Sequence, residues 1–386
     1  MALSVFLVAG EASGDRLGAG LIRAIKESRP DASFEGVAGP AMIEAGCTAW
    51  HPSQALAVMG LTEVVRHLPR LLRLRRQLVR RLLERPPDVF VGIDSPDFNL
   101  GLERRLKRAG VPTVHYVSPS IWAWRPGRVK KMAAAADRVL CLLPFEPRPY
   151  EDAGVEAVFV GHPLADTIPA QVDCVPARTG LGLPSTGPVV AVLPGSRVGE
   201  LRALGGDFAG AIGWLHRRRP ELSFIAPMAS RETRALFAEA LAARAPGAPV
   251  KLIDGRSREA MAAADVVLLA SGTASLEAAL IKRPMVVAYR LSRMSQWLLE
   301  TFKLVQIRHF ALPNLLAGRE MVPELLQAAV TPSNLGEAVL AWLDDAAGRD
   351  RLMREFETIH QSLRQDADQG AARAVLDLCP GHERES

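Results

Sequence analysis

The stretch Asp265-Val-Val-Leu-Leu-Ala-Ser-Gly-Thr-Ala-Ser-Leu-Glu277 decides how the rest of this chain is read. Its apolar run, Val266 to Ala270, has the character of a buried strand. The run breaks off at Ser271-Gly272-Thr273, and a helical pattern begins at Ala274. A strand that turns through small residues into a helix leaves free backbone N–H groups at the positive end of the helix dipole. Phosphate is the commonest ligand of such a place. Glu277, about one turn into the helix, is unsuited to phosphate but can accept hydrogen bonds from sugar hydroxyls. Together the two features point to a nucleotide. Ser271 and Thr273 also suit plain helix capping, and the local sequence does not choose between these readings.

The same alternation of short apolar runs and amphipathic stretches extends outward in both directions. Strands are expected near 3–9, 33–38, 88–94, 112–118, 137–143 and 155–161, then near 188–193, 222–227, 249–254, 265–270 and 284–289. Helical patterns lie between most of them, which implies βαβ units and parallel sheets covered on both faces. Between Gly161 and Pro188 the alternation fails in a crowd of proline and glycine. The expected division is a first domain over 1–165, a linker over 166–187, a second domain over 188–348 and a C-terminal helical segment over 349–386. Each domain is a doubly wound sheet, whose ligands sit beyond the carboxyl ends of the strands. Two such domains facing each other would place the working cleft between them.

Composition narrows the class. At 386 residues, two domains are the natural expectation. The net charge of +5 is modest. Cys47, Cys141, Cys174 and Cys379 are scattered, with no C-x-x-C pair, so neither a disulfide framework nor a structural metal is expected. Asp366-x-Asp368 reads as part of a solvated helix face and not as a metal site. No apolar run approaches the ~20 residues of a membrane span. The short apolar N-terminus lacks a basic region and reads as a first strand, not a signal peptide.

Several strand ends carry candidate chemistry. The first strand empties into Gly10-Glu-Ala-Ser-Gly-Asp15, which is not the G-x-G-x-x-G of a dinucleotide site. Its carboxylates repel phosphate and favour a hydroxyl-rich ligand, with Glu11, Ser13 and Asp15 as candidates. Alternatively Ser13 or Asp15 caps the first helix. Asp94 stands at the carboxyl end of a buried strand, where a general base would sit. Asp97, just after Pro96, is explained as a first-turn acid of the following helix. Trp122, in the loop Ser118-Pro-Ser-Ile-Trp-Ala-Trp-Arg125, lines a pocket or plugs a seam. Arg197, leaving a strand at Gly195-Ser196, can neutralise a diphosphate leaving group without a metal. Tyr289 and Asn314 are further candidates of the second half.

Residues 66–85 carry eight arginines against one acid, with Leu71, Leu74, Leu78 and Leu82 in one stripe. The apolar loop Leu56-Ala-Val-Met-Gly-Leu61 precedes them. This combination fits the surface of an anionic membrane, with Met59, Leu61, Arg70, Arg73, Arg76 and Arg80 as the contact set. An ordinary helix with a solvated basic face accounts for it equally. Nucleic acid is the third reader of such charge, but aromatic stacking residues are absent from the segment.

Taken in order, Gly10–Asp15, Gly92-Ile-Asp-Ser-Pro-Asp-Phe-Asn99, Ser118–Arg125, Leu193-Pro-Gly-Ser-Arg197, Ser271–Glu277, Leu312-Pro-Asn314 and Pro323-Glu-Leu-Leu-Gln327 make one pattern. The chain resembles the lipid-A-disaccharide synthases, bacterial glycosyltransferases of family 19, over nearly its whole length. The resemblance implies a GT-B fold: an acceptor-binding first domain, a UDP-sugar-binding second domain, and C-terminal helices crossing back to the first. It implies an inverting, metal-independent transfer from UDP-2,3-diacylglucosamine to 2,3-diacylglucosamine 1-phosphate, giving the β-1,6-linked disaccharide 1-phosphate, with no cofactor. Asp94 would be the base. The nucleotide would be held by Gly195, Ser196 and Arg197, by the turn Ser271, Gly272, Thr273, Ala274 and Ser275, and by Glu277, Tyr289 and Asn314. It further implies work at the cytoplasmic face of the inner membrane and dimers that exchange C-terminal segments. Two other readings are a UDP-N-acetylglucosamine 2-epimerase-like enzyme and a basic nucleic-acid-binding protein.

Overall fold

The computed structural model describes residues 2–56, 61–119, 127–290 and 309–379, with 61–67 described by backbone alone. It divides into two compact units. One takes the described residues up to Asp166 together with those from Leu363 onward; the other is Thr167–Ser362. Both are α/β units built on an all-parallel sheet, as the alternation implied.

In the first unit the strands are β1 (Ser4–Ala9), β2 (Ser33–Ala38), β3 (Thr48–Pro52), β4 (Val89–Ile93), β5 (Thr113–Tyr116), β6 (Arg138–Cys141) and β7 (Glu156–Phe159), in the order β3-β2-β1-β4-β5-β6-β7. β1 shows why its run is continuously apolar. Val5, Leu7 and Ala9 enter a core beneath the helices Ala12–Ser28 and Ala367–Leu376, while Phe6 and Val8 enter a second core beneath Leu61–Glu84 and Pro96–Arg108. A strand with helices on both faces has no solvated side to mark with polar residues. In the second unit the strands are β8 (Val189–Leu193), β9 (Ser223–Met228), β10 (Val250–Asp254), β11 (Val266–Ala270), β12 (Met285–Tyr289) and β13 (Glu324–Leu326), in the order β10-β9-β8-β11-β12-β13. In both sheets the order reverses beside the first strand, at β1/β4 and at β8/β11. The loops leaving those neighbours diverge and open a crevice.

Three expectations change. Residues 166–187 are not a loose linker: Cys174–Gly180 is a helix capped by Asp173, whose carboxylate accepts from Val175 N–H at 2.9 Å. Pro176 is tolerated because it falls in the first turn, where no intrahelical N–H is needed. Arg178 of this helix is buried, donates to Ala263 O at 2.9 Å, and pairs with Asp265 at 2.8 Å. The tail is likewise not one long helix returning to the first unit. Ala346–Leu363 stays with the second unit up to Ser362, tied there by the Lys282–Glu357 ion pair at 3.2 Å. A new helix, Ala367–Leu376, starts where Asp166 accepts the N–H groups of Asp366 and Ala367 at 3.1 and 2.8 Å. Finally, Asp368 is not on a solvated face. It is half-buried over Gly20, where an added Cβ would lie 2.3 Å from its carboxylate, and burial raises its pKa.

Asp15 also has a different role from the two expected. It neither caps its own helix nor points to solvent. Its buried carboxylate accepts from Gly39, Ala41 and Met42 N–H at 2.8, 2.9 and 3.1 Å, capping the short helix Pro40–Glu44. Asp15→Ala is therefore expected to destabilise the protein by about 2 kcal/mol, by orphaning these donors. The check is chemical denaturation, with UDP affinity of the folded variant unchanged; a wild-type unfolding midpoint would refute the capping role.

Candidate functional site

In the second unit the candidate site is assembled by the two loops at the β8/β11 reversal. β11 ends at Ala270, and after two intervening residues the helix Thr273–Leu280 starts, with Gly272 as its N-cap and no side-chain cap. Neither Ser271 nor Thr273 caps this helix. The Ser271 Oγ donates to Phe310 O at 3.0 Å. Thr273 is exposed inside the first turn, and Ser275 is buried with its Oγ donating back to Gly272 O at 2.8 Å. Among the described residues no side chain takes up the leading N–H groups, which leaves the helix terminus open to an anion.

The partner loop follows β8. Gly195 has φ +128, and a Cβ there would lie 2.6 Å from Glu200 Cβ, so the turn needs glycine. Glu200, absent from the sequence reading, sets the shape of this turn. Its carboxylate accepts the N–H groups of Ser196 and Arg197 at 3.0 and 3.3 Å. The Arg197 side chain remains 64% exposed, and its one ion pair among the described residues is a 3.5 Å contact to Glu200, so its guanidinium is available to a ligand. A cleft of about 410 Å³ lies against both loops, lined by Gly195, Ser196, Arg197, Ser271, Gly272, Thr273, Ala274 and Glu277. It extends to Pro227, Met228 and Ala229 after β9 and to Gly255 and Ser257 after β10. Sequence reading missed those, because apolar and small residues at a strand end carry no chemical mark. Glu277 is paired with Arg258 at 3.4 Å.

Two expected nucleotide contacts fall outside this cleft. Asn314 is fully buried and spends its amide internally. It accepts from Met321 and Val322 N–H at 2.7 and 2.9 Å, and it donates to Val322 O and Glu324 at 2.9 and 2.6 Å. Tyr289 stacks on Phe310 with ring centroids 5.1 Å apart, and burial raises its pKa. Tyr289 thus braces Phe310, whose carbonyl Ser271 bonds, and Asn314 holds Glu324, which accepts from Phe310 N–H at 2.7 Å.

In the first unit, the loops leaving β1 and β4 belong to the other reversal. Gly10 lets the β1 loop approach the β4 loop: a Cβ on it would lie 2.5 Å from Ser95 Oγ. Asp94 and Ser95 both have left-handed backbone, φ +51 and +47, and Asp94 N–H donates to Tyr116 O at 2.8 Å. The Asp94 carboxylate is half-exposed and makes no hydrogen bond or ion pair among the described residues. A carboxylate free of partners at a strand's carboxyl end can take up a proton from a ligand. Asp97 is exposed and pairs with Arg128 at 3.2 Å. Glu11, the N-cap of the helix Ala12–Ser28, and Ser13 in its first turn are both exposed. Trp122 and Met59 lie outside the described residues, as does the side chain of Leu61.

The arginine-rich segment forms the helix Leu61–Glu84. Leu74, Leu78 and Leu82 are buried in the core under the sheet, and Leu71 is half-buried. Arg70, Arg73, Arg76 and Arg80 are all exposed. Among the described residues no helix is long and apolar enough to cross a membrane.

Comparison with known proteins fits this architecture. HepE from Anabaena, solved in complex with UDP and glucose, superposes with a TM-score of 0.57 over 98% of this chain and 100% of that one, at 14% identity. The UDP-GlcNAc 2-epimerase of Neisseria meningitidis, bound to UDP-GlcNAc, gives 0.62 over 97% and 99%, at 11% identity. At such identities the likeness is one of fold. The lipid-A-disaccharide synthase of Alkalilimnicola ehrlichii is 54% identical over 382 residues, 98% of this chain and 100% of that one. That of Pseudomonas aeruginosa strain UCBPP-PA14 is 52% identical over 97% and 98%. A family model described as lipid-A-disaccharide synthetase matches residues 5–377. Matched along nearly its full length, the chain belongs to the lipid-A-disaccharide synthase family.

Proposed function

We propose that this chain transfers 2,3-diacylglucosamine from UDP to the 6-hydroxyl of 2,3-diacylglucosamine 1-phosphate. The observation that carries the reading is the uncapped helix terminus at Gly272–Ala274, sharing a cleft with the exposed Arg197. In the displacement, the acceptor oxygen bonds to the donor anomeric carbon as the bond from that carbon to the diphosphate oxygen breaks. Configuration inverts there. The acceptor proton goes to Asp94, and the departing electron pair goes to UDP. Arg197 and the N–H groups of the Gly272–Ala274 turn stabilise the charge that develops on the diphosphate. Glu277 takes the ribose hydroxyls in place of its contact with Arg258. Holding both sugars aligned for one displacement supplies a large part of the acceleration.

Acylated substrates reside in a bilayer. The exposed arginines of Leu61–Glu84, together with Met59 and Leu61 at its start, form the proposed docking surface on the cytoplasmic face of the inner membrane. Each basic residue near an anionic surface contributes ~1 kcal/mol. A dimer that exchanges C-terminal segments would use the helix Ala367–Leu376, which packs within its own first unit here. The epimerase-like reading rests on fold likeness alone, and the nucleic-acid reading has no aromatic platform in the basic helix.

Four experiments test this reading. Asp94→Asn is expected to keep UDP affinity while transfer falls ~10²–10⁴-fold, the usual worth of a general base; a wild-type rate would remove Asp94 from that role. Arg197→Ala is expected to lower kcat by ~10²–10³-fold, the scale of losing one charge-stabilising donor. Steady-state kinetics read both, and epimer formation from UDP-N-acetylglucosamine alone would overturn the transferase assignment. Replacing Arg73, Arg76 and Arg80 by Glu should abolish co-sedimentation with anionic vesicles while sparing UDP binding. Unchanged sedimentation would make the helix an ordinary solvated face.

A further inference from the structure

Behind Asp94 lies a buried polar set that neither the sheet nor the nucleotide cleft requires. Asn99 and Glu103 stand one turn apart on the helix Pro96–Arg108, and both are fully buried. His115 of β5, also fully buried, is the register partner of Gly92 on β4. His115 Nδ1 and Glu103 Oε1 are 2.7 Å apart. Gly92 makes room for the set: a Cβ there would lie 2.0 Å from Glu103 Oε1 and 3.0 Å from Asn99 Cβ. The Asn99 amide is aimed at the end of β4. Its Nδ2 donates to Asp94 O at 2.8 Å, with longer contacts to Ile93 O and Val8 O at 3.3 and 3.4 Å.

Such a set is costly. Asn99 Oδ1, Glu103 Oε2 and His115 Nε2 are buried without a hydrogen-bond partner among the described residues, and apolar residues of similar size would pack this space at lower cost. The compensating observation is the backbone it touches. Asp94 and Ser95 are consecutive non-glycine residues in the left-handed region, which is sparsely populated and persists only where surroundings over-determine it. The corresponding turn of the second sheet, after β11, places glycine at Gly272 and needs no such support. In the first unit an acid occupies the turn, and a buried amide grips its carbonyl.

We propose that Asn99 is a positioning residue for Asp94, and that the Glu103–His115 bond fixes Asn99 by tying its helix to β5. The Asn99 amide sets the peptide plane after Asp94 and thereby the direction in which its carboxylate leaves the backbone. This inference rests on the reading of Asp94 as the base, and the test separates the two.

The full-length enzyme is assayed with both acylated substrates, with rates normalised to UDP-binding sites. Asn99→Ala is expected to lower kcat by about 10²-fold, the cost of misplacing a catalytic group by about an ångström, while the donor KM and UDP affinity stay within about twofold of wild type. In an Asp94→Asn background the same change is expected to cost less than about twofold, because two residues acting through one function are not additive. Glu103→Leu with His115→Phe removes the pair without leaving a lone buried charge. It is expected to fold, bind UDP and lose kcat with Asn99→Ala. A wild-type kcat in Asn99→Ala, or a full loss added on top of Asp94→Asn, overturns the role of Asn99. A wild-type kcat in the double variant overturns that of Glu103 and His115. If Asp94→Asn itself retains the wild-type rate, the base assignment fails instead.

Discussion

Everything in this molecule follows from burying parallel strands on both faces. A parallel strand must be reached by a crossover, and here the crossovers are helices that cover both sides of each sheet. The backbone ladder then satisfies itself out of water, and the only polar termini left for use are at the strand ends. Where the order reverses, beside β1 in one sheet and β8 in the other, neighbouring loops part and cannot cover those ends. The fold thus creates its two crevices before any side chain in them has been chosen.

The two units furnish the same crevice differently. After β11 the chain uses glycine and small residues, keeps the helix terminus uncapped and sets an exposed arginine beside it, giving a place of positive potential. After β1 and β4 it uses Glu11 and Asp94, which discourage phosphate. Glu200 is the exception that explains itself. It is a carboxylate at a site meant for an anion, yet it is spent on the N–H groups of Ser196 and Arg197 and so holds the turn from which Arg197 projects.

The interior strands were legible because an apolar run between helical patterns has few other solutions. β3 and β13 were not. Each is an edge strand, one interrupted by a register shift near Gly36/Val37 and bearing Trp50-His51, the other only three residues long. Ser271–Ala274 and Arg197 could be read as a cleft because strand, small turn and helix lie within one local segment. Asp15 and Asn314 could not be read correctly from sequence. What decides their role is a backbone partner brought in by tertiary packing, at Gly39–Met42 for one and at Met321–Val322 for the other. Proline and glycine misled in the same way at 166–187, where Arg178 reaches Asp265 eighty-seven positions away.

The helix Ala367–Leu376 has a consequence for how the chain comes into being. Ala371, Ala372 and Val375 complete the core that contains Ile22, Leu7 and Val91, although the whole of the second unit is encoded between them. During synthesis the first sheet leaves the ribosome early, but one face, covered in part by Ala12–Ser28, is not completed until Ala367–Leu376 emerges. The second unit, continuous in sequence, has every contact of its core available sooner. The part made first is therefore the part finished last, and for that interval its exposed apolar face is the one a chaperone would have to shield.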